Sequence, residues 1–163
     1  MKNFSRLSLL AAVVATLSTF SVSAIAATAT GTANATVLTP IAIAAGTALN
    51  FGTLAGNASG GTVVVTAAGA RSTTGTVVVT SGAFSAGTFT VTGTGAATFG
   101  VTYPASFNVV SGANTMAVLV AGAATGTLAG GTVSLPVGGT LTVGASQAAG
   151  SYTGTYTMTV EYN

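Results

Sequence analysis

The sequence contains no histidine, no cysteine and no tryptophan, and its charged residues are 2% of the 163 positions. Each absence closes off chemistry. Without His or Cys, no Ser-His or Cys-His nucleophile–base pair can be assembled. Glu161 is the one side-chain carboxylate, so two-carboxylate glycoside hydrolysis lacks its second acid, and zinc or calcium lacks a ligand set. The composition therefore predicts a protein that is not an enzyme and uses no cofactor or metal. The missing cysteines also remove the disulfide staple common in small exported domains. A chain of this length buries roughly two-thirds of its unfolded surface and does not need one.

Positive charge is scarce too. Lys2 and Arg6 sit before a short apolar run, Leu7–Val14, which continues more weakly to Phe20. Ala24-Ile25-Ala26 then supplies a small-x-small cleavage pattern, with Val22-Ser23-Ala24 nearly as good, completing the three-part form of a secretory signal. The run is shorter than the ~20 residues of a spanning helix. The expected organisation is a cleaved signal peptide over 1–26, an N-terminal strand or extension over 27–38, and a β-domain over 39–163. With the signal removed, Arg71 and Glu161 are the only charged side chains left, so the full sequence's net charge of +2 disappears. A lone Arg is no basic patch, and nucleic-acid binding is excluded on that ground. No second apolar run approaches a membrane span, because the Ala and Val are broken throughout by Thr, Ser and Gly.

What the sequence does hold is strand pattern. Thr and Val alternate over short runs, Gly recurs every few residues, and helical spacing is missing. Strands are expected at Ala33–Ile43, Thr47–Phe51, Thr62–Thr66, Gly75–Thr80, Thr88–Thr92, Thr98–Tyr103, Thr115–Val120, Thr140–Val143 and Tyr152–Tyr162. Turns are expected at Gly56-Asn57, Gly60-Gly61, Gly112-Ala113-Asn114, Gly130-Gly131 and Gly138-Gly139. This pattern predicts an all-β fold, an immunoglobulin-like two-sheet antiparallel sandwich of about 8–9 strands. GTVVVT occurs at Gly61–Thr66 and again at Gly75–Thr80, and is read as two neighbouring hairpin strands whose valines are buried on both sides or covered by another chain. The solvent faces are left to Thr hydroxyls, which offer no charge repulsion against edge-to-edge pairing. Such a chain is disposed to associate.

Several short motifs are weighed and set aside. Gly93-Thr94-Gly95 has the start of a dinucleotide loop, but no third Gly, helix or acid follows, so it is a turn. Asn34-Ala35-Thr36 and Asn57-Ala58-Ser59 match the glycosylation acceptor, a pattern that arises often by chance. Arg71, between Gly69 and Gly75, reads as a surface loop charge, with a ligand contact as the sharper alternative.

The longest strict alternation ends the chain. Tyr152, Gly154, Tyr156, Met158, Val160 and Tyr162 share one face, and Thr153, Thr155, Thr157, Thr159 and Glu161 the other. Read plainly, this is a final strand with its apolar face in the core. It also resembles the C-terminus of chaperone–usher pilus subunits, with a penultimate Tyr at Tyr162 and a Gly fourteenth from the end at Gly150. That resemblance implies capture of the terminal strand by a periplasmic chaperone, passage through an outer-membrane usher, and polymerisation with other copies or related subunits. It also implies an N-terminal extension donated to a neighbour. Here Ala29, Gly31, Ala33, Ala35 and Val37 alternate with Thr28, Thr30, Thr32, Asn34 and Thr36. These knobs are small, so the segment reads equally as a donor strand or as the domain's own first strand. Leu49–Gly52, Gly61–Val65, Gly69–Ser72, Phe89–Gly93 and Gly150–Tyr162 further resemble an uncharacterised proteobacterial secreted family related to spore-coat-U-type proteins. The Cys pair common in such proteins is absent.

Two classes of function follow. The first is a structural subunit of a pilus or surface fibre, exported through the periplasm to the cell surface. The second is a monomeric secreted adhesin or carbohydrate-binding module. A small outer-membrane barrel suits the alternation, but the strands fall short of the ~9–11 residues required.

Overall fold

A computed structural model describes residues 25–163 apart from Asn57 and Ser81. The expected signal peptide lies, except for Ile25 and Ala26, outside the described residues. The chain divides into two compact units, residues 1–35 and 36–163. Of the first, residues 25–35 are exposed and belong to no strand. The second is all β and, among the described residues, contains no helix. No described helix is long and apolar enough to cross a membrane.

Among the described residues, twelve strands form three sheets, and every pairing is antiparallel. They are β1 (Ala42–Ala45), β2 (Leu54–Ala55), β3 (Gly61–Val65), β4 (Arg71–Gly75), β5 (Val78–Val79) and β6 (Gly87–Thr92), followed by β7 (Thr98–Thr102), β8 (Ser106–Ser111), β9 (Asn114–Gly122), β10 (Thr125–Thr127), β11 (Thr132–Val143) and β12 (Thr159–Tyr162). The largest sheet runs β1-β6-β11-β3-β4, with β9 also on β11 and β8 on β9. β10-β7-β12 make a second sheet, and β2-β5 a short third.

β11 organises the interior. Its odd-numbered residues point inward by strand alternation, so Leu135 and Val137 enter one apolar cluster while Leu141 and Val143 enter another. The first cluster joins them to Val91, Phe99, Val101, Leu128, Met158 and Val160. The second gathers Val63, Val77, Met116 and Val118. Each such side chain stabilises the fold by about 1.5–3 kcal/mol on burial. Between the clusters β11 exchanges partners: β6 pairs through Val137 and β3 from Gly139 onward. Gly138 is buried there because the Val65 carbonyl and Ala67 amide lie 2.5 and 2.7 Å from where a Cβ would stand. Pro136 is tolerated mid-strand because it faces Thr88, whose own N–H and C=O are already bonded to Thr47 and Gly46.

Several expectations hold locally. Thr62–Thr66, Thr88–Thr92, Thr98–Tyr103 and Thr115–Val120 are recovered within a few residues as β3, β6, β7 and β9. Phe99 and Val101 are buried as their alternation requires. The expected turn at Gly112 joins β8 to β9 as a two-residue hairpin loop, with Gly112 at φ 59°. β8 itself, Ser106–Ser111, was not anticipated.

Other expectations are corrected. Ala33–Ile43 is not a strand; pairing begins at Ala42. Thr47–Phe51 forms no named strand, only a bridge from Asn50 to Ser85. The two GTVVVT sextets are not hairpin partners. β3 instead pairs with Arg71–Gly75, because Gly69 at φ 82° lets the chain reverse and the Thr66 hydroxyl accepts the Ala70 N–H at 3.0 Å. The second sextet gives Gly75 to β4 and Val78–Val79 to β5; Val77 is buried, whereas Val78 is 59% exposed and not buried on both sides. Tyr152–Tyr162 pairs through Thr159–Tyr162 and a single bridge at Thr153.

Arg71, expected in a loop, opens β4 opposite Val65. Its guanidinium donates to the Phe51 carbonyl at 3.2 Å and sits 4.3 Å over the Phe84 ring. Gly52, at φ 83°, leaves the space the guanidinium fills. A protease must pull a residue out of its sheet to cut beside it. Trypsin is therefore expected to spare Arg71 in the folded protein for hours and cut there within minutes in denaturant, followed on a gel. Fast nicking of the folded domain would show that the side chain is not held.

Candidate binding groove

The domain carries an open groove of about 1060 Å³. One wall is the segment 45–56, from the last residue of β1 through β2; the other is the segment 147–156, which leads toward β12. Phe89, Phe107, Met116 and Leu141 line it between them. The walls run antiparallel: Thr39 is bonded to Tyr162 at one end, and Gly56 lies against Gln147 at the other.

The main chain of the walls is incompletely paired. Asn50 exchanges both its N–H and C=O with Ser85, at 2.9 and 3.0 Å, and Thr153 does the same with Val110, at 3.1 and 2.8 Å. Extended chain turns successive peptide groups to opposite sides. The neighbouring Leu49 and Gly154 therefore turn theirs away from those partners. Among the described residues, the backbone groups of Leu49 and of residues 154–157 make no hydrogen bond. Unmade backbone bonds beside an apolar trough are costly unless water or an added strand satisfies them.

Tyr156 is the centre of the trough. Its ring stacks on Phe107, with centroids 4.9 Å apart and planes at 25°, and meets Phe89 edge-on at 5.8 Å. Gly87 makes room for it, since a Cβ there would stand 2.7 Å from the Tyr156 hydroxyl. Burial pushes the Tyr156 phenol above its ordinary value. A raised phenol is neutral in the fold at a pH where the unfolded chain already ionises, so its contribution is present below about pH 10 and lost above it. Urea melts are expected to weaken as pH climbs through that range, and a Tyr156→Phe domain is expected to lose that share of the alkaline weakening. An identical alkaline slope in both would show that the group does not matter.

The residues expected at the C-terminus take distinct places. Gly150 packs against Ser111, and Gly154 lies on the backbone of Asn108 and Val109. The Tyr152 hydroxyl donates to the Ala148 carbonyl at 2.8 Å and accepts from Gln147 at 2.8 Å. Met158 and Val160 are buried in the first cluster. The Tyr162 hydroxyl donates to the Thr39 carbonyl at 2.7 Å and accepts the Thr94 N–H at 2.7 Å. The inward face was thus legible in the alternation, whereas the trough was not. Leu49, Phe107 and Met116 come to it from separate elements, and only tertiary contact assembles them. Ala29, Gly31, Ala33, Ala35 and Val37 are all exposed, and none is in a strand.

No curated protein and no solved structure matches the chain. Residues 41–162, from the residue before β1 to the tyrosine bonded to Thr39, match the family model described as a domain of unknown function (DUF4402), and the chain belongs to that family.

Proposed function

We propose that this protein is a structural, pilin-like subunit of a bacterial surface fibre that assembles by β-strand addition. One observation carries the reading: an open groove lies between two antiparallel segments in which the backbone groups of Leu49 and of residues 154–157 make no hydrogen bond. A strand laid there would run parallel to one wall and antiparallel to the other, gaining main-chain hydrogen bonds from both. On this reading the sheets form an immunoglobulin-like sandwich short of one strand, and the groove marks the vacancy. The occupant is residues 27–37 of another copy or a related subunit, with Ala29, Gly31, Ala33, Ala35 and Val37 facing the trough. Export through the periplasm to the surface follows from the expected signal, and a chaperone and usher are the partners implied by the pilin resemblance. Scarcity of charge supports the reading as well, since the edge strands β4 and β12 carry one charged side chain each, Arg71 and Glu161, and offer little repulsion against a second copy.

The test is the mature protein on SDS gels, unheated and boiled, with negative-stain microscopy beside it. Filaments and a ladder that collapses on boiling are expected. A soluble monomer under every condition would sink the fibre reading. One observation favours the second class, a carbohydrate-binding module: Phe107 and Tyr156 stack in an open groove that Phe51 and Tyr152 also line. A monomer that is retained on a glycan array, and loses retention with Tyr156→Ala, would move the assignment there.

A further inference from the structure

The Tyr162 side chain does more than end a strand. Its hydroxyl reaches across 123 positions of sequence to the Thr39 carbonyl at 2.7 Å. The same oxygen accepts the Thr94 N–H at 2.7 Å, and the Thr94 hydroxyl in turn accepts the Thr39 N–H at 2.8 Å. Both main-chain groups of Thr39 are thereby taken, one by each member of a three-residue circuit. The socket is shaped for the phenol: Gly93 stands where any Cβ would collide with the Tyr162 hydroxyl, and Leu128 closes the same spot. Among the described residues, Thr39 is the first that a hydrogen bond ties to the rest of the domain. Residues 25–40 are in no strand, and β1 starts three residues after Thr39, at Ala42.

We infer that Tyr162 is a positioning residue that clamps the root of the N-terminal segment to the last strand of the fold. The clamp can close only after β12 has docked on β7, because Tyr162 pairs with Phe99 there. Residues 27–38 are therefore presented from a fixed point only by a subunit whose final strand is in place. The consequence for assembly rests on the strand-addition reading above: the segment that enters a neighbour is anchored at Thr39, and load along a fibre enters the domain through that circuit. A partner that takes hold of the terminal strand must open the clamp, so capture of the C-terminus and presentation of the N-terminal segment exclude one another.

The experiment compares the mature wild-type chain with Tyr162→Phe, which keeps the ring and removes only the hydroxyl. Amide hydrogen exchange is read at Thr39 and Thr94, and elastase trimming maps how far the N-terminal segment is removed from the folded domain. Loss of one hydrogen bond corresponds to roughly a five- to tenfold change. Exchange at Thr94 is expected to quicken by about that factor, while amides of β11 stay unchanged. Trimming is expected to halt before Thr39 in the wild type and to run into β1 in the variant. Thr94→Ala, which frees the Thr39 N–H but leaves the phenol, is the second variant should Tyr162→Phe misfold, and a quickening of the same size is expected from it at the Thr39 amide. Unchanged exchange and an unchanged trimming boundary would overturn the clamp. A loosened clamp with wild-type ladders on SDS gels would overturn its role in assembly. A wild-type chain that never polymerises would instead remove the strand-addition reading and leave the clamp standing.

Discussion

Deletion of residues 27–37 is expected to abolish the SDS-resistant ladder completely while the domain still folds. Those residues are exposed and belong to no strand, so the domain forfeits no buried apolar area when they go. Thr39 and its bonds to Tyr162 and Thr94 remain. The melting temperature of the truncated monomer is therefore expected within about 2 °C of the full-length monomer, since exposed positions seldom contribute beyond about 0.5 kcal/mol. A synthetic peptide of residues 27–38 added back should fill the empty groove. At about a hundredfold excess over its Kd it should stabilise the truncated domain by about 2.7 kcal/mol, a rise in melting temperature on the order of 10 °C. The peptide's small side chains bury little, so this affinity rests chiefly on main-chain bonds to Leu49 and residues 154–157. A ladder that survives the deletion, with no response to peptide, would show that the copies are joined by another surface. The exposed edge strand β4 is then the next place to look.

Phe99→Ala is expected to be the most damaging single substitution, at about 3–5 kcal/mol. Phe99 is fully buried and is among the largest such side chains in the domain. It lies in the middle sheet strand, paired on one side to Gly126 of β10 and on the other to Tyr162 of β12. Its ring covers Gly126 so closely that a Cβ there would stand 2.9 and 3.0 Å from two of the ring carbons. Neighbours drawn from three strands have no common way to collapse into the cavity, which places the cost toward the upper end of that range. Against a total stability of about 5–15 kcal/mol, that loss leaves a substantial unfolded fraction. Because Tyr162 sits opposite Phe99, the same substitution should also loosen the bond to Thr39. The check is urea unfolding: a lower midpoint at unchanged slope. A loss under about 1 kcal/mol would mean that the first cluster repacks around the gap.

Much of this was readable without coordinates. Composition set the expectation about chemistry, because the chain has no His or Cys and Glu161 is its one side-chain carboxylate. The strand character came from alternation, a property of neighbouring residues, and so did the inward face of Tyr152, Tyr156, Met158, Val160 and Tyr162. Arg71–Gly75 was missed because RSTTG carries no apolar alternation; it is a strand because β3 offers it an edge. Residues 33–41 were misjudged for the opposite reason. Their alternation is good, but pairing needs a partner, and among the described residues none before Ala42 is in a strand.

The two copies of GTVVVT make the division clearest. The same six residues give a five-residue strand inside the large sheet in one instance, with Val63 and Val65 fully buried, and in the other a two-residue strand, with Val77 buried but Val78 59% exposed. Local sequence determined that both would be extended, since β-branched residues disfavour the helix. Only tertiary structure decided which edge each would meet, because sheet partners are chosen by contacts far apart in sequence. The groove belongs to that second category. Its residues are legible as strand formers, but the unpaired walls exist only where the fold brings segments 45–56 and 147–156 alongside each other and supplies no strand between them.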